Sequence, residues 1–463
     1  MIETIHGLVW GPGLLLFMLL TGIGYTIRSR LFQVRGISVW WNSTIGKAER
    51  GREKQGITGF QSACTALAAT IGTGNIVGVA AALKAGGPGA IFWMWISALL
   101  GMMTGYAEVW LGIRYRYKNA EGRWIGGAVT YLARGLSCPA LGIFYGMCCL
   151  LASFGMGGMV QSNAAVQTLN YSFGVPTILG ALFVGLLTFG VLAGGTKRIV
   201  KLTEAMIPWA SAIYVVCSLV VLLVCCRRVP LVFAEIFRYA LIPRAALGGV
   251  GGYGICRAFQ YGIARGVFSN EAGLGSLAGL HGEAEYTNEA EQGMWAIFEV
   301  GFDTIVICTM TAMVILCVLG GAEGLERNSL DGAALAAWSF QRICGNAGSV
   351  LIAGAMLVFS FATMIAWFYL GRQTLEAVLE LMFSGGTSEG RSRRKTLAGR
   401  MRMMYLIGYI VCVILGGIGS LELVWKLSDI WNGLMAFPNL LALFWLRRQV
   451  CFPQNGRTGH GEP

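Results

Sequence analysis

Two polar, glycine-rich stretches hold the residues best suited to chemistry in this sequence, at positions 66–78 and 264–276. Each interrupts an otherwise apolar segment and therefore predicts a break in a membrane helix. Unwound backbone in hydrocarbon requires a polar site enclosed by protein, because its N–H and C=O groups otherwise lack partners. The N-terminal end of a half-helix favours a carboxylate, and freed carbonyl groups favour a cation. A zwitterionic amino acid together with Na⁺ satisfies both kinds of end.

The composition indicates that these stretches belong to a polytopic membrane protein. Of the 463 residues, 55% are hydrophobic and 13% are charged, whereas soluble domains carry about 25% charged residues. A mean hydropathy of +0.63 and 67 glycines agree with this class and exclude a typical soluble enzyme. The net charge of +12 does not indicate nucleic-acid binding, because the basic residues lie between apolar segments instead of on one face. The 13 cysteines contain no C-x-x-C pair, and the three histidines are scattered, so neither a disulfide framework nor a metal centre is predicted.

Apolar runs predict about eleven membrane-spanning helices in an all-α protein. They lie at residues 7–27, 57–83, 89–113, 138–168, 175–195, 202–226, 253–281, 293–320, 347–381, 403–422 and 426–446. The long segment 383–402 between two of them is predicted to be a solvated loop.

The positions of the two polar stretches predict two repeats. Each stretch lies in the first span of a run of five, at 57–226 and at 253–446, joined by an extracellular segment at 227–252. An odd number of spans between equivalent positions gives the repeats opposite orientations, as in inverted-repeat transporters. Residues 1–56 are predicted to form an accessory helix and a basic cytoplasmic loop. Residues 447–463 are predicted to form a cytoplasmic tail. The alternative is that the glycines only permit close helix packing. This could account for a single glycine-rich stretch, but it accounts less well for two such stretches at matching positions.

Basic residues predict the orientation in the membrane. Most of the 35 Lys and Arg residues fall in cytoplasmic loops if the N-terminus is outside and the C-terminus inside. Segment 227–250, with four Arg outside, and segment 282–292, with only acids inside, oppose this assignment. The total nevertheless favours it, in a cell membrane with an anionic inner leaflet.

Five segments of this sequence carry a family resemblance. They are Cys64–Asn75, Gly86–Trp95, Ala264–Ser276, Phe302–Thr304 and Asn432–Asn439. With these segments in order, the chain from about Gly22 to Leu446 resembles the alanine or glycine:cation symporter family, the sodium:alanine symporters of bacteria and archaea. The resemblance implies a five-plus-five inverted repeat of the LeuT-like type in the APC superfamily, preceded by one extra helix. It also implies uptake of alanine and glycine driven by Na⁺, with no other cofactor.

The resemblance further implies a substrate site between the two breaks. Its residues would be Gly72, Thr73, Gly74, Asn75, Gln161, Phe268, Ser269 and Asn270. Within this set, Gln161 is expected to reach the substrate carboxylate and Asn75 the ammonium group. Phe268 lies inside the second break and could also cover the substrate as a thin gate.

A sodium site is implied by the same resemblance. Its ligands would be the carbonyl groups of Ala68 and Ile71 and the hydroxyl group of Thr363. The family usually has two adjacent hydroxyl residues after the phenylalanine, whereas this chain has Phe361, Ala362, Thr363. A hard cation requires several oxygen ligands, so this loss could weaken Na⁺ binding, admit a water ligand or shift coupling toward protons.

Charged residues within spans are rare and require an explanation. Asp303 is either a cation or gate residue near the second break or a buried hydrogen-bonded strut. Glu271 is expected to hold the second break in place instead of binding the substrate directly. Arg265 could pair with Glu271 or act as a gate on one side of the cavity. For Glu108, snorkelling or pairing with a basic residue is as well supported as a functional role.

The sequence therefore predicts a secondary active transporter that binds a small neutral amino acid, Na⁺ and the lipid bilayer. No Walker-type phosphate-binding motif is present, which favours an ion gradient as the driving force. The alternatives are proton-coupled symport by the same fold and an amino-acid sensor that has lost transport. An enzyme is not predicted, because the carboxylates and histidines form no recognisable catalytic set. The oligomeric state and the choice among alanine, glycine and serine stay open.

Overall fold

The computed structural model describes residues 2–47, 56–119, 122–241, 251–285, 287–383 and 388–453. Parts of the predicted basic loop, of the 227–252 connection and of the tail lie outside the described residues. The first segment contains four helices, α1 (Ile2–Val9), α2 (Pro12–Arg28), α3 (Phe32–Arg35) and α4 (Ile37–Ser43), followed by a 3₁₀ turn at Ile45–Lys47.

Helices also make up most of the first predicted repeat and the segment after it. They are α5 (Gly59–Thr70), α6 (Val79–Gly86), α7 (Gly89–Arg114), α8 (Ala128–Thr130), α9 (Pro139–Ala152), α10 (Gln161–Phe173), α11 (Thr177–Leu192), α12 (Thr196–Val224) and α13 (Val229–Leu241). Three π-helical segments, Gly74–Gly78, Tyr131–Gly135 and Ser153–Val160, join neighbouring helices. An antiparallel pair of two-residue strands, β1 (Tyr117–Lys118) and β2 (Trp124–Ile125), follows α7.

The second predicted repeat is helical as well. Its elements are α14 (Gly251–Asn270), α15 (Ser276–His281), α16 (Glu289–Val300), α17 (Thr309–Leu319), α18 (Ala322–Arg327), α19 (Gly332–Cys344), α20 (Asn346–Met382), α21 (Ser388–Ile418) and α22 (Leu421–Leu446), with a π-helical segment at Gly301–Cys308. Two of these differ from the sequence prediction. Helix α21 already begins at Ser388, so most of the predicted 383–402 loop is helical, and α18 and α19 form within a predicted loop.

The described helices fit a multi-pass membrane protein. Seven are long and apolar enough to cross a bilayer, or eight if the bent pair from Gly59 to Gly86 counts as one span. The three other predicted spans are helical in α11, α14–α15 and α22, which are shorter or more polar. Large apolar side chains face outward, among them Leu186 and Trp209 at 72% exposure each. Carboxylates such as Glu108 and Asp303 are fully buried, the distribution expected for a protein surrounded by lipid.

Helix α5 begins at a capping box. The Thr58 hydroxyl accepts a hydrogen bond from the Gln61 N–H at 3.2 Å, and Gln61 Oε1 accepts one from the Thr58 N–H at 3.1 Å. This arrangement satisfies two of the N–H groups that a helix start leaves without partners. The start of the first broken helix is therefore fixed locally, before packing acts on it.

Candidate functional site

The first break occurs between α5 and the π-helical segment Gly74–Gly78. Ile71 has a ψ of 89°, outside the helical range, and the two halves of the span are bent by 47°. The Gly72 N–H donates to Asn75 Oδ1 at 2.9 Å, and the Thr73 N–H donates to Gln161 Oε1 at 3.1 Å. Neutral amide oxygens therefore hold both N–H groups of this break.

Glycine is required at position 72 because the break is tightly enclosed. A Cβ atom there would lie 2.5 Å from Thr363 Oγ1 and 2.9 Å from Gln161 Oε1. A Cβ atom at Gly74 would lie 3.1 Å from the Cα atom of Ser269 in the last turn of α14, which places the two broken helices in contact. The structure thus brings together the predicted residues Gly72, Thr73, Gly74, Asn75 and Gln161 with the second break.

The second break begins at Glu271, later than predicted, because α14 stays helical through Phe268, Ser269 and Asn270. Its N–H groups also have a different cap. Glu271 has a φ of +59°, a left-handed conformation that is uncommon for residues other than glycine. The N–H groups of Gly273 and Gly275 both donate to Glu108 Oε1, at 2.9 and 3.1 Å. Asn439 Nδ2 donates to the same oxygen at 2.6 Å. A protein carboxylate therefore occupies the N-terminal end of half-helix α15, where the helix dipole favours negative charge.

Asp303 joins the two breaks. Its carboxylate accepts hydrogen bonds from Asn75 Nδ2 at 2.6 Å, from Ser269 Oγ at 2.7 Å and from Thr304 Oγ1 at 2.9 Å. Asn270 Nδ2 in turn donates to Thr304 Oγ1 at 3.2 Å. Asp303 is fully buried, so one carboxylate from the π-helical segment Gly301–Cys308 fixes the separation of both broken helices.

The three predicted sodium ligands lie together. Thr363 Oγ1, on α20, donates to the Ala68 carbonyl oxygen at 2.8 Å and lies 3.4 Å from that of Ile71. All three residues are fully buried. Their three oxygens fit part of a shell for a hard cation, which binds carbonyl and hydroxyl oxygens and wants more than three of them.

Glu271 and Trp367 connect the second break to the helix that carries Thr363. Trp367 Nε1 donates to Glu271 Oε1 at 2.8 Å, and Trp367 lies one turn after Thr363 on α20. This contact agrees with the expectation that Glu271 holds the break. It also links the backbone of the second break to the predicted sodium ligands through one side chain.

Arg265 forms an ion pair, but not with Glu271. Its guanidinium group lies 2.8 Å from Asp429 Oδ2, and the same oxygen lies 3.1 Å from His6 Nε2. The Arg265–Glu271 alternative is therefore wrong, because the guanidinium group points away from the break toward α22. Phe268 stacks on Trp425 with ring centroids 4.7 Å apart, and Arg265 lies over the Trp425 ring at 4.8 Å. The ion pair and the stacked rings therefore connect the last turns of α14 to α22, and His6 connects them to α1.

Sequence reasoning missed three contributors to this site. Glu108 neither snorkels nor pairs with a basic residue, because its carboxylate accepts hydrogen bonds from backbone N–H groups of the second break. Asp429 was not singled out, and Trp367 was expected only to pack in the core or to anchor at the membrane interface, since neither lies in a broken segment. Asn439 could have pointed to the role of Glu108, because it ends the segment 432–439 that carries the family resemblance. Its side-chain amide is the third donor to the Glu108 carboxylate.

Known proteins resemble this chain over nearly its full length. The sequence pattern of the sodium:alanine symporter family matches residues 1–453. The sodium/alanine symporter AgcS of Methanococcus maripaludis is 35% identical over 451 residues, covering 96% of this chain and 94% of that protein. The probable sodium/glutamine symporter GlnT of Bacillus subtilis is 32% identical, covering 96% of this chain and 87% of that protein.

A solved structure agrees with the architecture. The crystal structure of MhsT in complex with L-phenylalanine superposes with a TM-score of 0.53 at 15% identity, covering 86% of this chain and 99% of that chain. At this identity the likeness concerns the fold alone. The predicted all-α, LeuT-like membrane fold is thereby confirmed.

Proposed function

Because this chain belongs to the sodium:alanine symporter family, we propose that it carries small neutral amino acids, alanine and glycine, into the cell together with Na⁺. The observation that supports this most is the pair of touching helix breaks joined by Asp303. Such a pair offers N–H groups for a carboxylate and carbonyl groups for cations in one buried place. The protein works by alternating access to this place from the two sides of the membrane.

The substrate carboxylate binds at the first break. Its N–H groups, at Gly72 and Thr73, contact only neutral amide oxygens, whereas the N–H groups of the second break already hold the Glu108 carboxylate. A second carboxylate beside Glu108 would be repelled. The substrate therefore displaces Gln161 Oε1 from the Thr73 N–H, and the Gln161 amide turns to donate to it.

The ammonium group then faces the second break. Backbone carbonyl oxygens of Phe268, Ser269 and Asn270 are the acceptors on that side, with the Asp303 carboxylate behind Ser269. Asn75 Oδ1 already accepts from the Gly72 N–H, and its second lone pair can accept a hydrogen bond from the ammonium group. Phe268, stacked on Trp425, covers the substrate.

Na⁺ binds between the first break and α20. The carbonyl oxygens of Ala68 and Ile71 both lie within 3.4 Å of the Thr363 hydroxyl oxygen. On Na⁺ entry the Thr363 hydroxyl turns its lone pair to the ion, and water completes the shell where Ala362 lacks a hydroxyl group. The N-terminus lies outside the cell and the C-terminus in the cytoplasm, as the basic loops indicate.

Uptake by the purified protein in proteoliposomes tests this function. We expect labelled alanine and glycine to accumulate under an inward Na⁺ gradient and to stop accumulating when choline replaces Na⁺. A relative is named as a glutamine symporter, so glutamine and a series of L- and D-amino acids of rising size belong in the same competition assay. Accumulation that persists in choline and stops only when the proton gradient collapses would refute sodium coupling. The protein would then be a proton-coupled symporter of the same fold.

Restoring the missing hydroxyl should strengthen Na⁺ binding. We expect Ala362→Ser to lower the Na⁺ concentration for half-maximal uptake by about tenfold, because one more oxygen ligand is worth on the order of a kcal/mol to a hard cation. The measurement is the Na⁺ dependence of alanine uptake at fixed alanine. Ser360→Ala, two residues earlier on α20, is the matched control and should leave that dependence unchanged. An unaltered half-maximal concentration in Ala362→Ser would exclude this position from the ion site.

A further inference from the structure

A second buried polar cluster lies one helical turn from Asp303 and has no part in the site described above. His281 Nε2 is 3.0 Å from Glu299 Oε2, and both side chains have 0% exposure. Gln292 Nε2 lies 2.5 Å from His281 Nδ1. These residues come from the end of α15 and from α16. The cluster therefore joins the second broken helix to the helix that leads into Asp303.

The geometry of this cluster suits a proton and no larger cation. The imidazole nitrogen and the carboxylate oxygen are already at hydrogen-bond distance, so a metal ion has no room between them, while a proton lies on that line. Glu299 Oε1 and Gln292 Oε1 are buried without a hydrogen-bond partner among the described residues. A turn of the Gln292 amide would let Oε1 accept from a protonated Nδ1. The same three side chains thus accommodate both protonation states.

The proton determines the net charge of the buried His281–Glu299 pair. When the pair holds a proton in addition to the one on the neutral imidazole, His281 and Glu299 together carry no net charge. When that proton is lost, a net negative charge is buried near Glu271, with which Glu299 interacts electrostatically. Burying that charge is costly. Other ionisable groups lie on the elements packed around the pair. They are Cys64 on α5, Tyr106, Glu108 and Arg114 on α7, Tyr369, Arg372, Glu376 and Glu380 on α20, Asp303 and Cys308 after α16, Glu283 and Glu285 in the α15–α16 connection, and Glu289 and Glu291 on α16. Arg114 is itself paired with Glu289 at 3.7 Å.

The start of the first broken helix covers the cluster. Gln292 Nε2 donates to the Gly59 carbonyl oxygen at 3.4 Å, and the Glu285 N–H donates to that of Ile57 at 2.7 Å. A Cβ atom at Gly59 would lie 2.8 Å from Gln292 Oε1. Segment Ile57–Gly59 is half-buried at the surface, so its separation from Gln292 would admit water to His281.

We propose that His281 and Glu299 form a proton-binding site that takes up and releases one H⁺ in each transport cycle, alongside the Na⁺ site. This inference rests on the proposed function, because it assigns a second coupling ion to the same carrier. The site takes the proton from water in the cavity at Asp303, one helical turn away, when that cavity is open to the outside. It holds the proton while Ile57–Gly59 covers it, and it releases the proton to water on the side that we propose to be cytoplasmic. No bond other than those to the proton is made or broken.

Proton movement measured with alanine uptake tests this site. Proteoliposomes that enclose a pH-sensitive dye receive labelled alanine under a Na⁺ gradient, with a potassium ionophore clamping the voltage. The readout is the number of H⁺ per alanine, which does not depend on how much protein is folded. The wild type should acidify the lumen in step with alanine. Glu299→Gln should lower the H⁺ per alanine by about tenfold or more, because a neutral amide cannot carry the proton, and His281→Gln should do the same.

The matched control is Glu283→Gln. Burial raises the pKa of the Glu283 carboxyl to about 7, and Tyr369 donates to it at 2.9 Å, so it is the neighbouring group most able to mimic a titration. Its substitution should leave the H⁺ per alanine unchanged. A wild type that takes up alanine with Na⁺ but moves no H⁺, or a Glu299→Gln variant with the wild-type ratio, overturns the proton site and leaves the proposed function intact. A wild type that moves no amino acid at all refutes the proposed function instead.

Discussion

Substitution of Asp303 by Asn is expected to reduce alanine uptake by about a hundredfold or more, the largest loss for any single isosteric change in this protein. Asp303 accepts from Asn75, Ser269 and Thr304. An asparagine oxygen can still accept from Asn75, but its NH₂ group then faces the Ser269 and Thr304 hydroxyl groups, which must turn to accept from it. The hydrogen bonds to a charged carboxylate are replaced by weaker neutral ones. Hydrogen bonds to a charged group are worth about 1.5–3 kcal/mol each, and about 3 kcal/mol corresponds to a hundredfold change in an equilibrium constant.

Binding and transport have to be measured separately for this variant. Calorimetric titration of alanine into detergent-solubilised protein reports binding, and proteoliposome uptake reports transport. Asp331→Asn is the control, because Asp331 is exposed at the start of α19 and makes no side-chain cap. If Asp303→Asn binds and transports alanine as the wild type does, Asp303 is only a strut and does not set the distance between the two breaks.

The sequence predicted the broken helices because their signal is local. Glycine, threonine and asparagine at 72–75 stand out against apolar neighbours, and unwound backbone in hydrocarbon has few explanations. The fold class followed from the same signal, since two breaks five spans apart define the repeats. The convergence of Thr363 with Ala68 and Ile71 came from the family resemblance, and the structure places those atoms together.

The partners of the buried charges could not be predicted from the sequence. Arg265 lies six residues before Glu271 in the chain, yet it pairs with Asp429, 164 residues away. Glu108 lies near basic residues in sequence, yet its partners are backbone N–H groups 165 and 167 residues away. Backbone donors have no sequence signature, because every residue except proline carries one. Such contacts are fixed only when helices pack.

Substitution of Glu108 by Ala is expected to cause the largest loss of stability. It removes the acceptor of the Gly273 and Gly275 N–H groups and of Asn439 Nδ2. Each buried donor left without a partner costs about 1–3 kcal/mol, so the free energy of unfolding should fall by about 3 kcal/mol or more. The measurement is the melting temperature in detergent, which should drop by several degrees. Glu323→Gln is the control, because Glu323 is exposed and pairs with its helix neighbour Arg327.

Glu108→Gln separates the role of the charge from that of the acceptor. The glutamine oxygen can still accept from the break, so most of the stability should return, while the negative charge at the start of α15 is lost. Without that charge the second break becomes a second place where a substrate carboxylate is tolerated. We therefore expect Glu108→Gln to keep a melting temperature near that of the wild type but to bind alanine more weakly and less selectively against its uncharged amide. A variant with wild-type selectivity would show that the first break alone orients the substrate, whatever occupies the second.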